Sequence, residues 1–327
     1  MRNLISIGTI LVFLCMYSCD KITNPIINKG AVVSVPLVAP THVDSTTKAS
    51  DTTLNILVED YTAHNCTNCP IAGAQCEALV KGIHSNQVVL LQDNVGKLGS
   101  GYKNGSFAGL PNNAFGIDYV CIADSNWNNI FIKGDLNGLP GTMVNRLYYA
   151  GVAGSPDLFL NGIDVSVPFD SLVTANNKTA SIHIVDSMYT PPTSTLSMTI
   201  TTKLLSPNPS NKYYLVVALA EDSVFDWQDS VGVDVQYYLK RMTTRVAINA
   251  NGSGWGDTLS AFTTAPQSIH YAYSNVAKFA YASHITVPPP VSPYLWNMAH
   301  MYLVAFVYQK KSGSQDYMVL QAQKLHI

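Results

Sequence analysis

Leu54-Asn55-Ile56-Leu57-Val58-Glu59-Asp60-Tyr61-Thr62-Ala63-His64-Asn65-Cys66-Thr67-Asn68-Cys69-Pro70 runs on into Ile71-Ala72-Gly73-Ala74-Gln75. Residues 54–61 are rich in Leu, Ile and Val, as a buried parallel strand should be. A short polar connection, 62–65, leads to the CxxC. Pro70 suits a first helical turn, where its missing N–H is not needed. Ile71, Ala74, Ala78, Leu79 and Ile83 then recur at helical spacing. Val88-Val89-Leu90-Leu91 reads as a second buried strand. The segment is therefore a βαβ unit with a CxxC where strand hands over to helix.

That position has a chemical consequence. A thiol at a helix N-terminus faces unpaired N–H groups and the positive end of the dipole, which stabilises its thiolate. The second cysteine, three residues on, can close a small disulfide. An exposed attacking thiol beside a resolving thiol is the minimal apparatus for thiol–disulfide exchange.

Asp60 lies six residues before Cys66. In that spacing the segment resembles thioredoxins, in which a buried acid precedes the nucleophilic cysteine. The resemblance implies Cys66 as attacking thiol, Cys69 as resolving thiol and Asp60 as buried proton acceptor. Thioredoxins carry Trp before the first cysteine and Gly-Pro between the two; this chain has Asn65 and Thr67-Asn68. Redox potential and direction therefore do not carry over. The resemblance also implies a cis-proline facing the CxxC. Leu139-Pro140, followed by an apolar strand, is the first candidate, and Pro156 the second. VEDYTAHNCTNCP, NWNNIF with LPGTMVNR, ALAEDSVFDWQ and the final YLVAFVYQKKSGSQDYMVLQAQKLHI together resemble the Bacteroidetes outer-membrane lipoproteins related to the 28-kilodalton outer-membrane protein. That family implies a thioredoxin-like half, a β-rich half and an outer-membrane location.

Other readings compete at the CxxC. It can be a structural disulfide, as in many exported proteins. It can be a metal site of His64, Cys66, Cys69 and Cys76, although the usual second CxxC or HxxxH is absent. Cys76 and Cys121 fit a second disulfide or two buried thiols.

Outward from this block, the N-terminus supplies an address. Arg2 precedes a 13-residue apolar stretch, 4–16, too short to span a bilayer comfortably but suited to a signal peptide. Ser18-Cys19 then resembles a bacterial lipoprotein cleavage site. Cys19 becomes the lipidated N-terminus and Cys15, another of six cysteines, leaves with the signal. Acyl chains on Cys19 would hold the protein on a membrane without a transmembrane helix. Residues 20–51 mix Pro, Ser, Thr and Val without periodicity, as a tether does.

From about residue 178 short alternating runs take over: 180–185, 196–204, 213–220, 235–248, 269–273, 301–309 and 317–327. Turn-rich pieces such as SPNPSN and NANGSGWGD separate them. This is the pattern of a β-sandwich, immunoglobulin-like in character. Tyr237, Tyr238, Trp255, Tyr271, Tyr273 and Trp296 can line a carbohydrate or peptide surface, but aromatics at strand spacing more often form core or cross-strand pairs. Asp-Ser or Asp-Thr pairs resemble an O-glycosylation signal of exported Bacteroidetes proteins, which would modify Ser45, Thr52, Ser171, Ser187, Ser223, Ser230 or Thr258; turn and capping chemistry is the alternative.

The composition agrees with export. Of 327 residues, 47% are hydrophobic and only 12% charged, with a formal net charge of −2. Phosphate neutralisation by a basic face is therefore not expected, which excludes nucleic acid as a partner. The combined expectation is a two-domain chain: signal peptide 1–18, lipidated tether 19–51, an α/β thioredoxin-like domain 52–176 and an all-β sandwich 177–327. Cys66, Cys69 and Asp60 carry the chemistry, Leu139 and Pro140 shape the substrate groove, and no cofactor or metal is called for. The membrane, through Cys19, and exported thiol or disulfide proteins are the expected partners. The alternative is a non-enzymatic surface binding or adhesion lipoprotein with the CxxC as a staple.

Overall fold

The computed structural model describes residues 41–42, 53–100, 115–132, 138–149, 156–190, 195–231, 233–274, 296, 300–312 and 316–327. The signal segment, Cys19, Ser45, Thr52 and Ser155 lie outside them. Of the expected tether, Thr41–His42 (β1) is described.

The first half runs β2 (Ile56–Thr62), α1 (Cys69–Lys81), β3 (Val88–Asn94), α2 (Gly96–Gly99), α3 (Ile122–Ile130), β4 (Gly141–Val144) and α4 (Ser166–Ala175). Among the described residues the second half is strand apart from turns: β5 (Ala180–Thr190), β6 (Thr195–Leu204), β7 (Asn211–Glu221), β8 (Val224–Ser230), β9 (Val233–Lys240), β10 (Thr243–Ala247), β11 (Asp257–Leu259), β12 (Gln267–Ser274), β13 (Met301–Lys311) and β14 (Val319–His326). The expected βαβ unit is present, with β2 parallel to β3 in register Ile56↔Val88 to Thr62↔Asn94. Pro70 sits in the first turn of α1.

The chain is mostly sheet. The largest sheet has the order β14-β13-β7-β10-β3-β2-β4, with β11 also paired to β7. Residues 52–176 and 177–327, expected as two domains, thus contribute strands to one sheet. The seam is β10 against β3, parallel, at Thr243↔Gln92. A second sheet, β1-β5-β6-β12, is antiparallel, and β8 and β9 form a separate hairpin.

Burial on both faces explains why the central strands read as near-continuous apolar runs. Along β13, Leu303, Ala305 and Val307 join one hydrophobic cluster while Val304, Phe306 and Tyr308 join the other. β7 alternates likewise, Leu215, Val217 and Leu219 against Val216 and Ala220. The cluster of Val304, Phe306 and Tyr308 also gathers β2, β3, α1, Trp127 and Phe169; that of Leu303, Ala305 and Val307 gathers Leu196, Met198 and Ile200 of β6.

Two local expectations change. The run 235–248 is not one strand, because Met242 adopts φ 47° and divides β9 from β10. The NANGSGWGD turn is also an anchor: Trp127 Nε1 donates to Gly254 O at 2.9 Å. Gly254, at φ 80°, can approach because a Cβ there would stand 2.7 Å from the indole.

Candidate active site

The loop between β2 and α1 is tied down by its own backbone. Cys66 N donates to Ala63 O at 3.1 Å, Cys69 N to Cys66 O at 3.2 Å, and Val95 N to Thr62 O at 3.0 Å. This brings Cys66 and Cys69 together as a disulfide with Cα atoms 5.4 Å apart. Cys69 is the first residue of α1 and Cys66 stands just outside it. Both are buried, 4% and 2% exposed, whereas Thr67 and Asn68 between them are exposed. An attacking thiol open to solvent, the sequence expectation, is not what this oxidised state presents.

Asp60 and Glu59 are consecutive in β2 and so point to opposite faces. Asp60 is buried and accepts from Gln92 Nε2 at 3.1 Å. Burial pushes its carboxyl up to about 6, against the opposing pull of the Gln92 bond and the Lys240 charge. Gly73, four residues after Cys69, lets α1 ride close over it. A Cβ at Gly73 would stand 3.3 Å from the Tyr238 hydroxyl and 3.5 Å from Asp60 Oδ2.

Leu139-Pro140 has a cis peptide bond and Leu139 packs against the Ala63, Cys66 and Cys69 cluster, whereas the Ser155-Pro156 bond lies outside the described residues. Pro140 is buried and leads into β4, which pairs with β2 at Tyr61↔Gly141 and Asp60↔Thr142. Pro156 precedes Asp157, whose Oδ1 accepts from Thr142 N at 3.1 Å on the other side of β4. Leu98 completes the apolar surround of the disulfide.

The cysteines and histidine of the metal reading do not converge. Cys66 and Cys69 are bonded to each other, and Cys76 lies in the large core cluster rather than the disulfide's. The His64 ring is edge-on to Phe115 and Tyr119, and burial lowers its pKa. Cys76 and Cys121 are free thiols; the Cys121 sulfur caps α3, accepting from Asp124 N at 3.5 Å. Among the glycosylation candidates, Ser171 and Thr258 are exposed and Ser187 is buried.

The feature not expected from sequence is the β8–β9 hairpin, which lies against the CxxC loop. Gln228 Nε2 donates to Ala63 O at 3.1 Å and Cys66 O at 3.2 Å. Asp229 N donates to His64 O at 2.8 Å, and Val231 N to Thr67 O at 3.2 Å. Thr67 Oγ1 donates to Asp229 Oδ2 at 2.7 Å. Beneath them Lys240 Nζ, buried, donates to Gln228 Oε1 at 2.8 Å and lies over the Tyr119 and Tyr238 rings. Desolvation lowers its pKa to about 8, opposed by the charges of Asp226 and Asp60. The hairpin itself has a sequence signal: alternating VFDWQDS and VDVQYYLK around a Val231-Gly232 connection. Its docking site has none.

No protein-family model matches the chain, and no curated protein matches it. Among solved structures, HBP35 of Porphyromonas gingivalis superposes with a TM-score of 0.54 at 14% identity, over 84% of this chain and 76% of that one. The two chains share a fold. A domain of the outer membrane lipoprotein Omp28 from the same organism aligns over 46% of this chain and 89% of its own at 19% identity, but its TM-score of 0.28 is too loose to define a common fold. No helix among the described residues is long and apolar enough to cross a membrane.

Proposed function

We propose that the chain is an outer-membrane lipoprotein, held by acyl chains on Cys19, whose thioredoxin-like CxxC site exchanges disulfides with exported proteins. The observation that carries this reading is the Cys66–Cys69 disulfide at the junction of β2 and α1, with Leu139 of the Pro140 loop against it. The lipoprotein-like segment 1–19 and the resemblance to Bacteroidetes outer-membrane lipoproteins support the location. The fold shared with a Porphyromonas gingivalis protein agrees with that resemblance.

The chemistry balances as follows from the oxidised state. A thiolate of a partner dithiol attacks Cys66 Sγ, the Cys66–Cys69 bond breaks, and Cys69 leaves as a thiolate stabilised at the start of α1. The partner's second thiolate then attacks the partner sulfur of the mixed disulfide and releases Cys66. Two electrons and two protons pass to this chain, and the partner gains a disulfide. In the reverse direction Cys66 attacks a partner disulfide and Cys69 resolves. Asp60, ionised at neutral pH with a pKa of about 6, accepts the proton Cys69 loses as it attacks. Leu139 and Pro140 form the apolar wall beside the reacting sulfurs.

A second reading, a surface binding or adhesion protein stapled by the disulfide, is favoured by the burial of both sulfurs. Thiol alkylation across a series of redox buffers separates the two. Exchange is read as a reversible couple between roughly −300 and −120 mV, the range that holds the known dithiol exchange proteins, while a staple resists reduction to below about −300 mV. The expected result is the former. A couple below about −300 mV assigns the disulfide to the staple.

A further inference from the structure

The β8–β9 hairpin belongs to neither large sheet, and its polar contacts converge on the loop that holds the disulfide. Two of its donors, Asp229 N and Val231 N, are two residues apart and meet the carbonyls of His64 and Thr67. That is the spacing with which one edge of an extended peptide hydrogen-bonds along another chain. The hairpin is anchored at its base, where Tyr119 Oη donates to Asp226 Oδ2 at 2.8 Å and Val224 is buried. Between base and tip the ladder shifts register, from Asp226↔Tyr238 to Gln228↔Val235. Such a bulge is a natural bend. Beyond it Val231 and Val233 are each 64% exposed, and Tyr237, within the bulge, is 72% exposed. The tip is therefore held largely by hydrogen bonds to loop carbonyls, each worth only about 1 kcal/mol net.

We propose that the hairpin tip, residues 228–231 and 233–235, is an intramolecular occupant of the site's polypeptide-docking ledge, and that a cysteine-bearing segment of an exported protein displaces it. The incoming segment is extended and backbone-recognised. It takes the carbonyls of Ala63, His64, Cys66 and Thr67 that Gln228, Asp229 and Val231 now occupy, and its cysteine reaches Cys66. The tip bends away at Trp227 while Asp226 and Lys240 keep the base in place. The inference rests on the exchange reading and adds to it the partner's form and the gate it must open.

The test uses the full chain carrying Cys69→Ser and a short cysteine peptide activated as its 2-pyridyl disulfide. The Cys66 thiolate attacks the peptide sulfur, the peptide–pyridyl S–S bond breaks, pyridine-2-thione leaves, and a Cys66–peptide disulfide remains; peptide mapping separates it from labelling at Cys76 or Cys121. Hydrogen exchange is then read at the Asp229 and Val231 amides. The expected result is loss of protection at both amides in the adduct, with adduct formation about tenfold faster in a second chain that also carries Gln228→Ala. Asp229→Ala, which removes the Asp229 side-chain bond to Thr67 and leaves both cysteines and the backbone bonds of the tip in place, should accelerate it about threefold and guards against a folding defect in the first variant. An adduct that forms with both amides still protected, at a rate unchanged by either substitution, overturns the gate and leaves the exchange reading standing. No adduct on Cys66 in any of the chains overturns both.

Discussion

Replacing Arg146 with methionine is expected to lower the unfolding free energy by about 3–5 kcal/mol, read from urea denaturation followed by tryptophan fluorescence. Arg146 follows β4 and is fully buried, as is its partner Glu59. Its Nε donates to both Glu59 oxygens, at 3.1 and 2.9 Å, and a terminal nitrogen bonds Oε1 as well. The guanidinium also lies 4.7 Å from the Phe131 ring centroid and 4.9 Å from those of Trp127 and Phe306. These rings come from α3, the residue after it, and β13, so one cation ties both halves of the chain together. Methionine fills comparable volume but leaves the Glu59 charge uncompensated in a site that already holds Asp93 and Asp124. The cost comes mostly from that orphaned carboxylate rather than from the lost pair. A chain with both Glu59→Gln and Arg146→Met should therefore regain a large part of the loss, a coupling that a double-mutant cycle measures. Equal and additive losses in the two single variants would show that the pair is not the source.

This ion pair marks where sequence reading stops. Glu59 sits in a strand whose apolar neighbours announce burial, yet a charged residue there carries no local sign of its partner 87 residues away. The strand–CxxC–helix block was legible because its signals are local: a Leu/Ile/Val run, a proline in a first turn and helical spacing after it. The apolar runs of β7 and β13 were legible as strands for the same reason. That they share a sheet with β2 was not, because the join is a single parallel contact between Thr243 and Gln92. A chain that changes from mixed α/β to strand-rich composition looks like two domains, but composition cannot say whether two edges meet. The aromatics Trp255, Tyr271, Tyr273 and Trp296 pack with the core clusters, as strand spacing suggests, while Tyr237 stands out in solvent on the hairpin. The hairpin's place over the disulfide depends on Gln228 reaching Ala63, 165 residues earlier, and no local pattern encodes that contact.

The other large effect is one of pH. Stability should fall as pH rises from about 6.5 to 8, with a slope approaching about 1.4 kcal/mol per pH unit for one retained proton. The source is the buried pair Asp93 and Asp124, on β3 and α3. Asp93 accepts from Thr244 Oγ1 at 2.7 Å and Asp124 from Cys121 N at 3.4 Å, and the two buried carboxyls are near enough for their charges to repel. Two like charges out of water favour the form in which one of them keeps its proton. Burial, with the charge of Glu59 next, pushes Asp93 up to about 8, and burial with the charge of Asp93 raises Asp124. A raised folded-state value means that the folded chain keeps a proton the unfolded chain has already released. The stabilisation is complete below the ordinary carboxylate value near 3.8 and is lost as pH passes through about 8. Asp60, raised to about 6, steepens the dependence mainly below the chosen window, and the lowered pKa of Lys240 acts in the opposite sense as pH approaches about 8, so the fall is steepest in the lower part of the window. Asp93→Asn isolates the pair. Its carboxamide oxygen can still accept from Thr244, and it carries no charge at any pH, so no proton need be retained there. The variant should give a flatter slope across the window and a relative gain in stability at pH 8. Parallel slopes for the variant and the unmodified chain, measured by urea unfolding at each pH, would trace the dependence to other groups.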